Sequence, residues 1–312
     1  MATIIGLYPG QGSQEPQMAL DLYAASASVK HIFALARDIS HVHLYKLLTS
    51  ATEAELKQTK NTQLVVTLAS RAAEIRLLEL GHHFTAHSGF SLGELAAYAS
   101  GGILSDQSLF ELINIRAGFM DQESKKIAEY LGELGMAAVI GLDFETVEHL
   151  VKSIEGLYAS NDNSPTQVVI AGTLQAIGDA EALLKANGAR RIIPLKVSGP
   201  FHTPLMEGAV PCFEEAISDL HFKDPSETII SSVDGKPITT AGEAKATLAA
   251  QLAKPVRWTK TIETIQSLVR EETIVGEVGY GSVLTNLVKD RLACLPLGSE
   301  AAIHALEKGR TV

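Results

Sequence analysis

Five residues constrain this 312-residue chain more than any other feature: Gly89-Phe90-Ser91-Leu92-Gly93, set between a strand-like run, His83 to Ser88, and a helix-forming run, Glu94 to Ala99. Glycines two positions either side of a serine permit a sharp strand-to-helix turn that exposes the hydroxyl at the top of a sheet. Taken alone, the five residues suit an ordinary glycine turn equally well, so the flanking strand and helix carry the weight. Those flanks imply an α/β layer fold.

The rest of the chain extends that reading. Thr3 to Leu7 is a short apolar run, and Gln63 to Leu80 has helical periodicity ending at Gly81. Between Gly132 and Val197 the pattern becomes strand (Met136 to Ile140), helix (Glu145 to Ile154), strand (Leu157 to Ser160), strand (Gln167 to Ala171), helix (Leu174 to Ala186), strand (Ile192 to Val197). That order is βαββαβ, the ferredoxin-like arrangement. Turn residues at Gly141, Asn161 to Pro165, Gly172 and Gly188 are expected between these elements. Residues 131–198 are therefore expected to form an insert in a larger α/β unit made of residues 1–130 and 199–312. In that unit a helix over Glu207 to Leu220, a strand over Thr228 to Val233, a helix over Glu243 to Ala253 and a strand over Thr273 to Val278 resume the alternation.

Composition excludes several classes. The formal charge of -10, with no basic stripe interleaved with aromatics, argues against nucleic acid as a partner. No apolar stretch approaches the roughly 20 residues that span a bilayer. Cys212 and Cys294 sit in no metal-ligand spacing and suggest no disulfide framework. Met1-Ala2-Thr3-Ile4-Ile5 runs straight into a strand without a basic or apolar leader, so a cytoplasmic location is expected.

A serine is a weak nucleophile without a base, most often histidine, within hydrogen-bonding reach. Of ten histidines, His202 stands out, because Ser198-Gly199-Pro200-Phe201-His202-Thr203-Pro204 follows an apolar strand and its prolines stiffen a loop. A loop histidine satisfied by backbone groups is the plainer alternative. His82, His83 and His87 lie on the strand before the turn and are read as structural. Pro9-Gly10-Gln11-Gly12-Ser13-Gln14 is a glycine-rich turn after the first strand, able to aim backbone N–H groups at a phosphate or a developing oxyanion. It lacks the Lys and Ser/Thr spacing of a nucleotide-binding loop. Arg116 lies in a mostly apolar helical stretch, where its charge wants either a neighbouring carboxylate or the carboxylate of a substrate.

Together, Pro9 to Gln14, Gly89 to Glu94, Arg116 to Met120, Asn161 to Gly172, Ser198 to Met206, Gln251 to Trp258 and Glu277 to Leu284 resemble, in order, the motifs of the malonyl-CoA:acyl carrier protein transacylase family, which includes the acyltransferase domains of fatty acid and polyketide synthases. The resemblance covers essentially the whole chain. It implies an α/β-hydrolase-like large subdomain with a parallel sheet and an inserted ferredoxin-like small subdomain, with the active site between them. It further implies that Ser91 is acylated, that His202 is its base, and that the backbone N–H groups of Gln11 and Leu92 form the oxyanion hole. Arg116 would hold the malonyl carboxylate and the Gln251 carbonyl would orient His202. Phe201 resembles the malonyl-selective version of the family.

The implied reaction is ping-pong: malonyl passes from coenzyme A to Ser91 and then to the phosphopantetheine thiol of acyl carrier protein, with no metal or bound cofactor. Arg190, Arg191 and Lys196 offer a small basic patch for that acidic carrier, or simply a solvated strand edge. Two departures stand out: the family usually has histidine where this chain has Phe90, and often proline at Tyr280. A serine thioester hydrolase would use the same elbow and base but discharge to water. A non-catalytic docking subunit would not require Ser91, His202 and Arg116 to be intact.

Overall fold

The computed structural model describes residues 1–197 and 199–309; Ser198, which opens the histidine loop, and Arg310, Thr311 and Val312 lie outside the described residues. In chain order the strands are β1 (Thr3–Tyr8), β2 (His83–Gly89), β3 (Leu134–Ile140), β4 (Leu157–Ser164), β5 (Gln167–Thr173), β6 (Arg191–Leu195), β7 (Thr228–Ile230), β8 (Pro237–Ile238), β9 (Thr273–Glu277) and β10 (Leu295–Pro296). They form two sheets, ordered β10-β9-β1-β2-β7-β8 and β4-β5-β3-β6. The first is parallel except for β8, and the second is antiparallel throughout.

The parallel sheet is centred on β1, which pairs with both β2 and β9. Five of its six residues are buried. A parallel strand covered on both faces must be apolar almost throughout, which explains the unbroken Ile4-Ile5-Gly6-Leu7-Tyr8. Helix Thr59–Glu79 is buried without a break from Thr62 to Glu74, so its middle is enclosed by other elements rather than riding on the surface. Helix Asp106–Leu131 is capped by the Ser105 side chain, which accepts from the Ser108 N–H. Only its segment around Arg116 is recognisable as helical from composition, because the full 26 residues average out to no net apolarity.

The antiparallel sheet has the βαββαβ order expected. Its helices Phe144–Val151 and Leu174–Ala186 start at Asp143 and Thr173, whose side chains accept from Thr146 and Ala176 amides. Val139, Val147, Val168, Ile170 and Ala180 make a separate small core between sheet and helices. Each fully buried valine or isoleucine among them contributes about 1.5–3 kcal/mol.

Several boundaries differ from expectation. Asn161 to Ser164 is strand rather than turn, since β4 continues against β5 with Asn161 opposite Val169, Asp162 opposite Val168 and Ser164 opposite Gln167; on its other edge the Asp162 amide donates to the Val256 carbonyl at 2.8 Å and the Val256 amide to the Ser160 carbonyl at 3.0 Å. Polar residues are held extended here because β5 on one side and Val256 on the other satisfy their backbone. Gly172 lies within β5, where a Cβ would meet the Gly156 carbonyl oxygen at 1.9 Å. The helix expected over Glu207 to Leu220 is a 3-10 turn, Pro204–Ala209, followed by a short α-helix, Val210–Ala216, with Pro211 at its start. The strand expected over Thr228 to Val233 stops at Ile230, where Ser231 exchanges backbone bonds with Gly235 and Lys236 in a turn.

Candidate active site

β2 ends at Gly89 and the chain enters helix Gly93–Ser100 within three residues. The Phe90 amide donates to the Tyr8 carbonyl at 2.9 Å, the Gly93 amide to Phe90 at 2.9 Å and the Glu94 amide to Ser91 at 3.0 Å. Ser91 takes φ 51°, a left-handed conformation rare for a residue with a side chain. The flanking glycines make room for it. A Cβ on Gly89 would lie 1.9 Å from the Gly93 carbonyl carbon, and one on Gly93 would lie 2.0 Å from the Tyr8 oxygen.

Opposite the serine, His202 also has positive φ, 62°, and its amide donates to the Leu252 carbonyl at 3.1 Å. Its Nε2 is 2.7 Å from Ser91 Oγ and its Nδ1 2.7 Å from the Gln251 carbonyl oxygen. A carbonyl oxygen only accepts, so Nδ1 carries the ring hydrogen and Nε2 turns its lone pair to the serine hydroxyl. The Gln251 carbonyl is an end carbonyl of helix Ala241–Gln251, where the helix dipole is negative. Burial, with the Arg116 charge adding to it, pulls His202 down to about 4, so the ring is neutral near pH 7.

Arg116 is fully buried, as are Gln63 and Gln251. Its Nη1 donates to Gln63 Oε1 at 3.0 Å and its Nη2 to Gln251 Oε1 at 3.1 Å, while its Nε has no partner. Among the described residues no carboxylate forms an ion pair with it. Burial lowers it to about 10, against the opposing pull of the Glu94 charge. Gln251 Nε2 in turn donates to Glu94 at 2.7 Å and to the Ser91 carbonyl at 3.2 Å. Glu94 also accepts from Ser232 Oγ at 2.5 Å, and burial raises its pKa while these donors oppose the rise.

A cleft of about 900 Å³ opens beside this group, lined by Gln11, Gly12, Gln14, Lys57, Lys196 and Phe201 among others. Leu92, the other amide of the implied oxyanion pair, is buried at the start of the elbow helix. Phe90 packs edge-on against Trp258, with ring centroids 5.4 Å apart. His82, His83 and His87 are engaged elsewhere: His82 Nδ1 accepts from the Ala2 amide, His83 meets Thr3, and His87 bridges Tyr8 and Glu227. Arg190, Arg191 and Lys196 are exposed at and around β6, an edge strand.

Sequence reading missed Gln63 and the Gln251 side chain as partners of Arg116, and the Glu94 carboxylate that accepts from Gln251. The one available signal was an acid just after the elbow; nothing marks Gln63, because every residue from Thr62 to Glu74 is buried. Among the described residues no cluster of His, Cys, Asp or Glu has the makings of a metal site. No described helix is long and apolar enough to cross a membrane.

The acyl transferase domain family matches residues 7–311. The malonyl CoA-acyl carrier protein transacylase of Bacillus subtilis is 35% identical over 294 residues, 93% of this chain and 90% of that protein. The crystal structure of a malonyl-CoA:acyl carrier protein transacylase from Xanthomonas oryzae superposes with a TM-score of 0.90 at 30% identity, covering 100% of this chain and 99% of the other. A malonyl-transacylase solved in complex with its type II PKS acyl-carrier protein gives a TM-score of 0.91 at 32% identity, covering 99% of this chain and 100% of the other.

Proposed function

This chain belongs to the acyl transferase domain family, and on that premise we propose that it transfers a malonyl group from coenzyme A to the phosphopantetheine thiol of an acyl carrier protein, for fatty acid or polyketide synthesis. The observation that carries the reading is the buried Arg116, which has two amide partners, an unpartnered Nε and no ion pair among the described residues. A charge held this way is a receptor for a carboxylate at the acyl tail. Names of the relatives supply the same acyl group.

Ser91 Oγ attacks the thioester carbonyl as His202 Nε2 takes its proton. The amides of Gln11 and Leu92 receive the oxyanion. Collapse of the tetrahedral species breaks the carbon–sulfur bond, and the coenzyme A sulfur leaves with the proton returned by His202. The carrier's thiol then attacks malonyl-Ser91, His202 accepting its proton and handing it back to Ser91. Phe201 borders the acyl group, and the Gln251 carbonyl keeps His202 in the productive tautomer. The reading needs no metal or bound cofactor, coenzyme A entering as substrate. A cytoplasmic location goes with it, as do two free cysteines.

The test is transfer from malonyl-CoA or acetyl-CoA to holo carrier protein, by wild type and Arg116→Ala. Wild type should prefer malonyl and Arg116→Ala should lose that preference. Equal use of both by wild type contradicts the reading, and discharge to water without carrier would make the protein a hydrolase. Arg190→Glu with Arg191→Glu should raise the KM for carrier; an unchanged KM removes the basic strand edge as its docking site.

A further inference from the structure

A buried arginine ordinarily needs a carboxylate, because an uncompensated charge in a low-dielectric interior is costly. Arg116 has amides instead. Gln63 Oε1 and Gln251 Oε1 each accept one of its hydrogens, at 3.0 and 3.1 Å, and all three side chains are fully buried. Neither amide is free to present its nitrogen. Gln63 Nε2 donates to Met120 Sδ at 3.5 Å, and Gln251 Nε2 donates to Glu94 at 2.7 Å. The Glu94 carboxylate is thus bonded to Gln251 rather than to the guanidinium, leaving Arg116 Nε buried without a partner.

Glutamine and glutamate have nearly the same shape. A glutamate at either position would reach the same arginine hydrogens, but it would also cancel the charge. Gln251 carries two further duties, since its carbonyl meets His202 and its amide meets the Ser91 carbonyl. Gln63, reaching in from helix Thr59–Glu79, has Arg116 and Met120 as its side-chain partners. Its oxygen therefore serves chiefly to aim the guanidinium.

We infer that Gln63 is a specificity-determining residue: its neutral amide positions Arg116 while leaving the positive charge uncancelled, so the preference for an acid-tailed acyl group over a neutral one depends on residue 63 being an amide and not an acid. This rests on the proposed role of Arg116 as carboxylate holder. A fixed amide dipole orients the cation, and the incoming carboxylate completes the charge balance only when it arrives. An acid at position 63 would complete it permanently, and a malonyl tail would then meet a neutral pair plus the repulsion of a second carboxylate.

The experiment is competition for the full chain between equimolar malonyl-CoA and acetyl-CoA, with the ratio of the two acyl-enzymes read by intact mass after rapid mixing. Gln63→Glu should lower the malonyl-to-acetyl ratio by about a hundredfold, the scale of losing a buried charge-assisted pair, through the malonyl arm alone. Gln63→Met removes the acceptor without adding charge, so it should slow malonylation yet keep malonyl preferred. A wild-type ratio in Gln63→Glu overturns the inference. So does a Gln63→Met enzyme as indiscriminate as Arg116→Ala, because orientation and not charge would then carry the preference; that comparison decides the matter if thermal melting shows Gln63→Glu to be unfolded. A wild type without any malonyl preference would overturn the role of Arg116 itself, a distinct result.

Discussion

The pH dependence of acylation follows from where His202 sits. Burial, and secondarily the Arg116 charge, depress it to about 4, and only the neutral ring can take the Ser91 proton. At pH 5 about nine-tenths of the enzyme would hold a neutral base, against about 3% for an imidazole at its ordinary value. The difference is about thirtyfold in rate at that pH. Single-turnover acylation by malonyl-CoA, started by a pH jump and quenched within one turnover, measures it directly. The account predicts a nearly flat rate from pH 8 to 5 and a fall centred near the depressed value. Removing the arginine in Arg116→Ala should shift that fall to higher pH, because a positive neighbour disfavours the protonated ring. The jump is needed because stability moves the same way. The folded chain holds His202 neutral below the pH at which the unfolded chain protonates it, so stability present above about 6.5 is lost as pH falls towards about 4, by about 3 kcal/mol at the lower end. A rate that already halves near pH 6.5 in enzyme still folded on the assay timescale would refute the reasoning.

Three further outcomes follow from packing. Gly93→Ala should abolish soluble expression or lower the melting temperature sharply, since its Cβ would lie 2.0 Å from the Tyr8 carbonyl oxygen. Gly178→Ala, in helix Leu174–Ala186 with nothing within 4 Å of the added atom, should instead raise stability by about 0.5–1 kcal/mol in urea titration. Arg71→Met should cost about 3–5 kcal/mol by the same titration, because Arg71 joins Glu74 at 2.5 Å and Asp106 at 2.8 Å and so ties together the helices that carry Gln63 and Arg116.

The elbow was legible because two glycines and a serine have a backbone requirement that few other arrangements share, and the structure puts both glycines where no Cβ fits. The βαββαβ order was legible because its apolar runs alternate cleanly with turn residues. Asn161 to Ser164 was misread for a physical reason: its Asn, Asp and Ser have turn propensity, but the hairpin closes only at Pro165 and Thr166, and pairing with β5 holds the polar residues extended. The length of helix Asp106–Leu131 was obscured in the same way, since tertiary packing rather than a steady apolar stripe sustains it. Arg116 could be singled out as a charge in an apolar stretch. Its partners could not, because a glutamine accepting from a buried arginine looks, in sequence, like any other helix glutamine.

The most direct test of the central claim is intact-mass analysis of wild type and Ser91→Ala after brief mixing with malonyl-CoA, with and without subsequent holo acyl carrier protein. The account predicts a malonyl adduct on wild type that is absent from Ser91→Ala, persists in buffer, and moves to the carrier on addition. An adduct on Ser91→Ala, or a wild-type adduct that decays to water before carrier is added and never appears on it, would contradict it.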